Sequence, residues 1–284
     1  MPELPEVETL VRYLAPLLEG KKIRGVQVRR PRVIAPTTEK ELAHALIGAT
    51  FLKLARRGKY ILFTLRQRGH KSPLTLVGHF GMTGRFYLLP KGVTPPKHAA
   101  VVLGLGPHQF IYEDTRYFGR LTLDQSGPAK LGPEPLDRYF TDKYFADALK
   151  NSTQAIKVKL LDQSVVAGVG NIYASEALFR AGISPKLPVK KLTTAQIKKL
   201  RQSIRAVLQK AIRYGSTLPL DFSGTEGRDG VFYYGRAAAD SEFSTERLLV
   251  YDRHNQPCVK CATPIRRIVQ AARSTFYCPD CQRG

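Results

Sequence analysis

Four cysteines near the C-terminus place the firmest limit on how this chain can fold. They form two Cys-x2-Cys pairs separated by sixteen residues: Cys258, Cys261, Cys278 and Cys281. Each pair can offer two thiolates to one tetrahedral metal ion, and the segment between the pairs is long enough for a β-hairpin. Two disulfides or four unrelated thiols are the alternatives. The spacing favours one zinc ion with a structural role, because four cysteine ligands leave no open position for water.

The charge of the chain predicts a polyanionic partner. Its 284 residues include 45 Lys and Arg against 23 Asp and Glu, which gives a formal net charge of +22. Nucleic acid is the simplest partner for such an excess, although an anionic membrane surface or a ribosomal setting would suit it too. No apolar run approaches the ~20 residues that span a bilayer, and the acidic N-terminus does not resemble a signal peptide. We therefore expect no membrane partner and a cytoplasmic, nucleoid-associated protein.

The N-terminal residues suggest a nucleophile. Removal of Met1 would expose the secondary amine of Pro2, and because an α-amino group titrates near ~8, about a tenth of it is neutral at pH 7. Attack by this amine on a sugar carbon would give an iminium, which is an electron sink for later eliminations. Glu3 and Glu6 are candidate proton-transfer groups. The alternative is an ordinary frayed end before a helix, and three acids within the first eight residues of so basic a chain weaken it.

Short β-rich runs bounded by Gly and Pro occupy most of the chain up to residue 124. Examples lie at 23–28, 60–65, 74–77, 99–105, 110–112 and 121–123. Such regular short strands predict an antiparallel sandwich or barrel. A helix at 39–46 interrupts them, and an earlier helix with an apolar stripe begins at Pro5. Gly and Pro then punctuate residues 125–135, where we place a domain boundary.

Beyond this boundary the period of the apolar residues changes from two to about 3.6, which predicts helices. They lie at 136–150, 154–162, 172–181 and 194–213. Thr193 and Gln196 form a capping box before the last helix, and Gly215 is a natural stop. We expect the basic residues of that helix on a solvated face first and in contact with DNA second: Lys198, Lys199, Arg201, Arg205, Lys210 and Arg213. Residues 221–245 lack periodicity and predict a mobile loop.

Gly168, Gly170 and Asn171 stand at the start of the predicted helix at 172–181. Two glycines in a tight turn followed by an Asn N-cap would expose unpaired backbone N–H groups, which is a ready phosphate site. An ordinary turn between helices is equally compatible with this spacing. Lys59 has two interpretations as well, since a basic residue at the start of a strand usually lies at the surface.

Taken together, these motifs resemble the bacterial formamidopyrimidine-DNA glycosylases, which excise oxidised purines such as 8-oxoguanine. The likeness rests on residues 2–9, on residues 167–176 and on the four cysteines, and it extends over nearly the whole chain. It implies an α+β fold, with an N-terminal antiparallel β-sandwich bearing an N-terminal helix, then a helical domain with a helix-two-turn-helix element and a four-cysteine zinc-finger hairpin. The implied domains are a catalytic β-sandwich at 1–130, a helix-two-turn-helix DNA-binding domain at 131–220, a mobile lesion-capping loop at 221–247 and a zinc finger at 248–284.

The resemblance assigns catalytic roles to five residues: Pro2, Glu3, Glu6, Lys59 and Arg273. Pro2 would attack C1' of the damaged nucleotide while Glu3 manages protons at the sugar. Glu6 is a further proton-transfer candidate, Lys59 would contact the phosphate or base of the lesion, and Arg273 would grip DNA from the zinc finger. Loss of the base would leave an iminium, and β- and δ-elimination would then cut the strand on both sides.

The resemblance also assigns six residues to DNA binding. Three of them would hold phosphates of the backbone: His98, Lys157 and Asn171. The other three would fill the gap left by an extruded nucleotide: Met82, Arg116 and Phe118. Their spacing does not show whether these three residues meet. Tyr117 departs from the Arg that is common at its position in the family.

The sequence thus predicts a bifunctional DNA glycosylase and AP lyase. It would act as a monomer on double-stranded DNA containing oxidised purines or abasic sites, with one structural zinc ion. An endonuclease VIII-like enzyme for oxidised pyrimidines is one alternative. The sequence of residues 4–9 and the three gap-filling residues argue against it. A non-catalytic zinc-containing DNA-binding protein is the other, and the presence of Pro2, Glu3 and Lys59 argues against it.

Overall fold

The structure of the chain is a computed structural model that describes residues 2–67, 69–215 and 248–283. These residues form two compact units. One unit contains Pro2 and Glu6–Ala129, and the other contains Glu3–Pro5 with residues 130–215 and 248–283. The predicted lesion-capping loop at 221–247 lies outside the described residues. Within the described ranges, no helix is long and apolar enough to cross a membrane.

Two four-stranded antiparallel sheets build the first unit. Its strands are β1 (Gly25–Val28), β2 (Thr50–Arg57), β3 (Tyr60–Arg66), β4 (Leu74–His79), β5 (Gly84–Pro90), β6 (Ala99–Gly104), β7 (His108–Asp114) and β8 (Arg120–Thr122). One sheet has the strand order β2-β3-β4-β8 and the other has the order β1-β6-β7-β5. The predicted antiparallel architecture is confirmed, and β2 and β5 are strands outside the examples singled out from the sequence.

Aromatic side chains from both sheets meet in the core of the first unit. The ring centroid of Phe63 lies 5.6 Å from that of Phe110 and 5.9 Å from that of Phe86, and Phe51 lies 6.2 Å from Phe110. All four rings are fully buried. Edge-to-face pairs of this kind add about 0.5–1.5 kcal/mol to the stabilisation from buried area. The two sheets therefore pack face to face as a β-sandwich.

The N-terminal helix packs on this core. Three α-helices occur among the described residues up to 129: α1 (Leu4–Leu18), α2 (Glu39–Leu46) and α3 (Ser126–Ala129). α1 begins at Leu4, one residue before the predicted start. Its predicted apolar stripe belongs to the core of the sandwich: Val7, Leu10, Val11 and Leu14. On a more exposed face, Glu8 pairs with Arg56 of β2 at 2.8 Å, so that packing and an ion pair both attach the helix to the sheet.

Four α-helices lie in the described part of the second unit. They are α4 (Asp142–Leu149), α5 (Ile156–Leu160), α6 (Asn171–Ala181) and α7 (Thr194–Arg213). α7 starts with the predicted capping box, in which the side chains of Thr193 and Gln196 each accept the other's backbone N–H. The prediction of a helix at 136–150 was wrong at its start, because α4 begins at Asp142 with Thr141 as its N-cap.

Two arginines of α7 explain why the chain just before α4 is not helical. Arg205 donates to the backbone carbonyls of residues 135–137, and Arg201 donates to that of Phe140. In a helix these carbonyls would instead accept N–H groups four residues further along. Arg201 and Arg205 therefore stabilise the fold, which corrects their expected place on a solvated face.

The segment between the two cysteine pairs forms the predicted hairpin. Its antiparallel strands are β9 (Arg266–Gln270) and β10 (Arg273–Tyr277). Ala271 and Ala272 turn the chain with φ values of 47° and 57°, and two successive positive φ values are typical of a two-residue type I′ hairpin turn. Phe276 of β10 shares a buried cluster with Phe179 of α6.

We expect Gly119→Ala to destabilise the first unit. A Cβ at this position would lie 2.0 Å from the Tyr112 hydroxyl and 2.4 Å from the His79 carbonyl oxygen. Overpacking of this kind costs about 1–3 kcal/mol, so the midpoint of thermal unfolding should fall by several degrees. Gly25→Ala is the matched control, because nothing lies within 4 Å of its added Cβ. Equal midpoints for the two variants would contradict the packing around Gly119.

Candidate active site

The carboxylate of Glu3 occupies the N-terminus of α6. Its oxygens accept the backbone N–H groups of Gly170 at 2.8 Å, Ile172 at 2.9 Å and Tyr173 at 3.4 Å. The first N–H groups of a helix lack partners inside the helix, and the helix dipole makes this end positive, so a carboxylate is stabilised here. Because Glu3 is only 2% exposed, its position is fixed by these contacts and by burial.

This contact corrects the prediction of an open phosphate site at the same place. Gly170 is the N-cap of α6, and Asn171 is the first helical residue rather than the cap. A side chain at the cap position is excluded, because a Cβ on Gly170 would lie 2.4 Å from the carboxyl carbon of Glu3. The backbone N–H groups that seemed open to phosphate are bound by a residue 167 positions away in sequence. Local spacing gives no sign of such a partner.

Lys157 and Asn171 bind each other and connect α5 to the zinc hairpin. The buried Lys157 ammonium donates to Asn171 Oδ1, and Asn171 Nδ2 donates to the Ser274 carbonyl oxygen at 2.9 Å. Burial, and then the charge of Arg273, lowers the pKa of Lys157 to about 8, although the charge of Glu3 opposes the change. A nearby anion favours the charged form of an amine. Lys157 can therefore respond to the arrival of a phosphate.

Tyr251 is a site residue to which the sequence pattern assigns no role. Its hydroxyl hydrogen-bonds the Asn171 side chain, and burial raises the pKa of that hydroxyl. Its ring packs edge-on against Phe276, with centroids 5.2 Å apart. The buried Glu176 carboxylate holds the backbone here, because it accepts the N–H groups of residues 249–251 at 2.9 Å each. A glutamate within an apolar stretch of helix is the signal that could have indicated this contact.

Five side chains of the second unit thus interact with one another and form the Asn171 cluster: Glu3, Lys157, Asn171, Tyr251 and Arg273. Arg273, the first residue of β10, is exposed. The cluster offers two cations, an amide and a hydroxyl. Side chains of these types are the usual ligands of nucleic-acid phosphates.

In the first unit, Lys59 is buried at the turn between β2 and β3 instead of lying at the surface. Gly58 allows the turn with a φ of 57°. Burial, followed by the charges of Lys59 and Arg120, lowers the pKa of His79 to about 4. His79 is therefore neutral at pH 7, and its Nδ1 accepts the Gly81 N–H at 3.1 Å. The sequence pattern assigns no role to this histidine, which holds the loop after β4 through Gly81.

Asp114 joins the two loops that carry the predicted gap-filling residues. Its fully buried carboxylate accepts the Thr83 hydroxyl at 2.5 Å, the Arg116 N–H at 3.1 Å and the Gly119 N–H at 2.8 Å. The loops at 80–83 and 115–119, which we name the wedge loops, are therefore fixed to one buried acid.

The wedge loops bring Met82, Arg116 and Phe118 together. Met82 and Phe118 are 45% and 48% exposed, and the Arg116 guanidinium lies 4.8 Å from the centre of the Phe118 ring. The two backbones are so close that a Cβ on Gly81 would lie 2.5 Å from the Gly119 nitrogen. Large apolar side chains on a fixed base can intercalate between bases. Met82, Arg116 and Phe118 are therefore carried by adjoining loops, which their spacing in the sequence does not show.

Pro2, Glu6 and His98 complete the predicted set. Pro2 precedes α1 and Glu6 lies within it, and both residues are buried. Met1 lies outside the described residues. His98 precedes β6, and its Nδ1 lies 3.3 Å from the hydroxyl of Tyr117 in the second wedge loop.

The four cysteines have the geometry of a zinc site. Their Sγ atoms all lie within 4.8 Å of one another, and the shortest separations are 3.5 Å to 3.8 Å. Zn–S bonds of about 2.3 Å in a tetrahedron place the sulfurs about 3.8 Å apart, whereas a disulfide would bring two sulfurs to about 2.05 Å. The residues fit a structural zinc ion, as the spacing predicts.

The antiparallel β-sandwich, the helical unit and the four-cysteine hairpin define an α+β protein with a zinc finger. Three family models match the chain: the formamidopyrimidine-DNA glycosylase N-terminal domain at residues 1–121, the formamidopyrimidine-DNA glycosylase H2TH domain at 131–221, and the zinc finger found in FPG and IleRS at 255–284. The chain belongs to the formamidopyrimidine-DNA glycosylase family. It is accordingly a DNA glycosylase with AP lyase activity, and the predicted enzyme class is confirmed.

Whole-chain comparisons agree with this assignment. The formamidopyrimidine-DNA glycosylases of Carboxydothermus hydrogenoformans and Magnetococcus marinus are 38% and 39% identical to the chain, with all of both chains covered in each case. The Lactococcus lactis enzyme bound to DNA with an AP site has 33% identity and a TM-score of 0.84, over 99% of this chain and 100% of its own. The same enzyme with DNA containing N7-benzyl-Fapy-dG has 34% identity and a TM-score of 0.85, over 100% of both chains.

We expect the purified protein to contain one zinc ion per chain. Cys278→Ser removes one thiolate and should lower the zinc content, the midpoint of thermal unfolding and the affinity for DNA, because β10 carries Arg273 and ends at the residue before this cysteine. Val259→Ala is the control, since Val259 lies between two ligands of the first pair but is exposed. Elemental analysis of protein purified without chelator measures the metal. A content far below one zinc per wild-type chain would contradict the site.

Proposed function

We propose that this DNA glycosylase removes oxidised purines from duplex DNA with the amine of Pro2 and then cleaves the strand. The observation that carries the proposal is the position of Glu3, the residue directly after Pro2. Three backbone N–H groups donate to its carboxylate and hold it in place. A nucleophile at a chain end is effective only if the end is held, because termini otherwise fray. The solved relatives bind DNA with an abasic site or a formamidopyrimidine lesion, which supports the same substrates here.

In the proposed reaction the Pro2 nitrogen forms a bond to C1' while the bond from C1' to the base breaks. The base leaves with the electron pair of that bond and takes up a proton. The Glu3 carboxylate takes up the proton that the Pro2 nitrogen loses on bonding to C1', and returns it to the ring oxygen as the sugar ring opens and the adduct becomes an iminium. The iminium makes the C2' proton acidic, so its loss expels the 3' phosphate, and a second elimination expels the 5' phosphate.

Two sets of residues hold the DNA in this proposal. The Asn171 cluster binds a backbone phosphate through Lys157 and Arg273, and His98 binds another. The exposed side chains of the wedge loops fill the gap that the extruded nucleotide leaves. Flipping costs a few kcal/mol, and an aromatic ring stacked on a base contributes about 1–3 kcal/mol. The free energy of stacking Phe118 on a base is therefore large enough to offset the free energy of flipping the nucleotide.

The remaining assignments follow the same reasoning. Lys59 contacts the lesion or its phosphate, and Glu6 is a further proton-transfer group. The proposal includes domains at 1–130, 131–220, 221–247 and 248–284, action as a monomer, and a place at the bacterial nucleoid. The net charge of +22 supports association with DNA.

Borohydride trapping on a duplex with one 8-oxoguanine opposite C tests the nucleophile. Borohydride reduces an iminium to a stable amine, so wild-type protein should become covalently attached to the damaged strand. Pro2→Gly should reduce the adduct on the order of tenfold or more, because it removes the secondary amine.

An undamaged duplex and a duplex with thymine glycol are the controls for this experiment. No adduct should form on the undamaged duplex. A clear preference for thymine glycol would favour an enzyme for oxidised pyrimidines. Binding of wild-type protein without any adduct or cleavage would overturn the proposed reaction and leave a DNA-binding protein.

We expect the affinity for DNA to fall as the pH rises above about 8. The free protein has a pKa of about 8 at Lys157, and a bound phosphate raises it by favouring the ammonium. Below pH 8 the amine is already charged, and affinity should be constant. Above pH 8 binding must take up a proton, so Kd should rise by up to about tenfold per pH unit. Fluorescence anisotropy at constant ionic strength, with a non-cleavable abasic duplex, measures Kd.

Lys157→Met provides the comparison for the pH experiment. The variant lacks the titrating amine, so its Kd should be higher at pH 7 and should change little between pH 8 and 10. The same pH dependence in the variant and in wild-type protein would assign the proton to another group.

A further inference from the structure

Tyr117 contacts two basic side chains from distant parts of the first unit. Its hydroxyl accepts the Arg30 Nε–H at 3.1 Å and lies 3.3 Å from His98 Nδ1. The Arg30 guanidinium carbon also lies 5.4 Å from the centre of the Tyr117 ring. Arg30 and His98 are 87 and 19 positions away in sequence, so the fold creates this group.

The backbone of Tyr117 has a conformation that is unusual for a tyrosine. Its φ is 54°, in the left-handed region that residues with a Cβ rarely adopt. Glycine or asparagine is the usual residue in that conformation. The conformation is held on both sides, because the N–H groups of Arg116 and Gly119 donate to Asp114. The contacts with Arg30 and His98 supply a reason for a tyrosine here.

Arg30 is available to an external anion. It is exposed, and its remaining hydrogen bond goes to the Arg29 carbonyl oxygen at 2.9 Å. Across residues 2–67, 69–215 and 248–283, none of the ion pairs includes Arg30. An arginine that stacks on an aromatic ring and has no carboxylate partner can pair its positive charge with an anionic ligand.

The hydrogen bonds of the group determine what His98 can offer. Arg30 Nε can only donate, so the Tyr117 oxygen accepts there and its own hydrogen can go to His98 Nδ1. In that arrangement a neutral His98 carries its hydrogen on Nε2, at the other side of the ring, where it is a donor.

We infer that Tyr117 is a positioning residue that holds Arg30 and His98 as a pair for binding the phosphate backbone beside the wedge loops. The inference rests on the proposed function, because it requires DNA at those loops. Arg30, held on the ring of Tyr117, supplies the cation of this pair.

Salt-dependent binding to a duplex with a tetrahydrofuran abasic analogue tests this inference. Tyr117→Phe keeps the ring and removes the hydroxyl, and should raise Kd by about three- to tenfold. Single-turnover excision of 8-oxoguanine at saturating enzyme should stay within about twofold of wild type, since Tyr117 orients binding groups only. Arg30→Ala should raise Kd and reduce the slope of log Kd against log salt by about 0.9, as expected for one lost phosphate contact.

Two double variants separate positioning from a general structural effect. Arg30→Ala combined with Tyr117→Arg should restore the salt slope, because the cation returns at the neighbouring position. Arg30→Ala combined with Tyr117→Phe should weaken binding less than the sum of the single effects. Arg32→Ala is the matched control: it removes an exposed cation two positions from Arg30 that makes no hydrogen bond to Tyr117, and its effect should add to that of Tyr117→Phe.

Wild-type affinity and salt slope in Tyr117→Phe and Arg30→Ala would overturn the inference, as would fully additive effects of the two changes. These outcomes leave the proposed function standing if wild-type protein excises 8-oxoguanine. Inactivity of wild-type protein on the 8-oxoguanine duplex would instead overturn the proposed function, so the two failures are distinguishable.

Discussion

The contact between the Glu3 carboxylate and the N-terminus of α6 is the constraint on which the site of the second unit depends. The Leu4 N–H adds a hydrogen bond to the Gly168 carbonyl oxygen at 3.1 Å. Cβ atoms on Gly168 and Gly170 would lie 2.6 Å and 2.4 Å from the side chains of Leu4 and Glu3, so the close approach requires both glycines. A hydrogen bond to a charged group contributes about 1.5–3 kcal/mol. Glu3, which is proposed to transfer protons, thus also binds the first backbone N–H groups of α6.

Because that helix begins with Asn171, the contact with Glu3 also fixes the groups that are proposed to bind phosphate. The Asn171 side chain binds Lys157 on one side and the Ser274 carbonyl oxygen of β10 on the other. β10 is followed at once by Cys278, so zinc holds the strand that carries Ser274 and Arg273. Four thiolates leave zinc no position for a substrate. Zinc therefore fixes the geometry of the hairpin, and in the proposed function it acts on DNA binding only through that geometry.

Elements stabilised by nearby residues could be predicted from the sequence, and contacts between distant residues could not. The zinc hairpin and the capping box of α7 depend on short spacings, and both are confirmed. The start of α4 depends on Arg201 and Arg205, which lie 59 to 70 positions from their partners. β2 is harder to recognise in the sequence, because basic residues interrupt its alternation of apolar side chains. The cap by Glu3 and the joining of the wedge loops by Asp114 are long-range contacts, which spacing cannot reveal.

Burial of the Lys157 ammonium costs the free protein stability, and in the proposed complex it strengthens the interaction with a DNA phosphate. The pKa of Lys157 is about 8 in the folded chain, below its ordinary value of 10.5. The unfolded chain therefore binds more protons between these values, and the contribution of Lys157 to stability rises with pH across that window. Below pH 8 the cost of holding a buried ammonium is fully present. In the proposed complex a phosphate offsets this cost, because it adds a negative charge to that of Glu3 near the buried ammonium. The same low-dielectric surroundings make that pairing stronger than it would be in water.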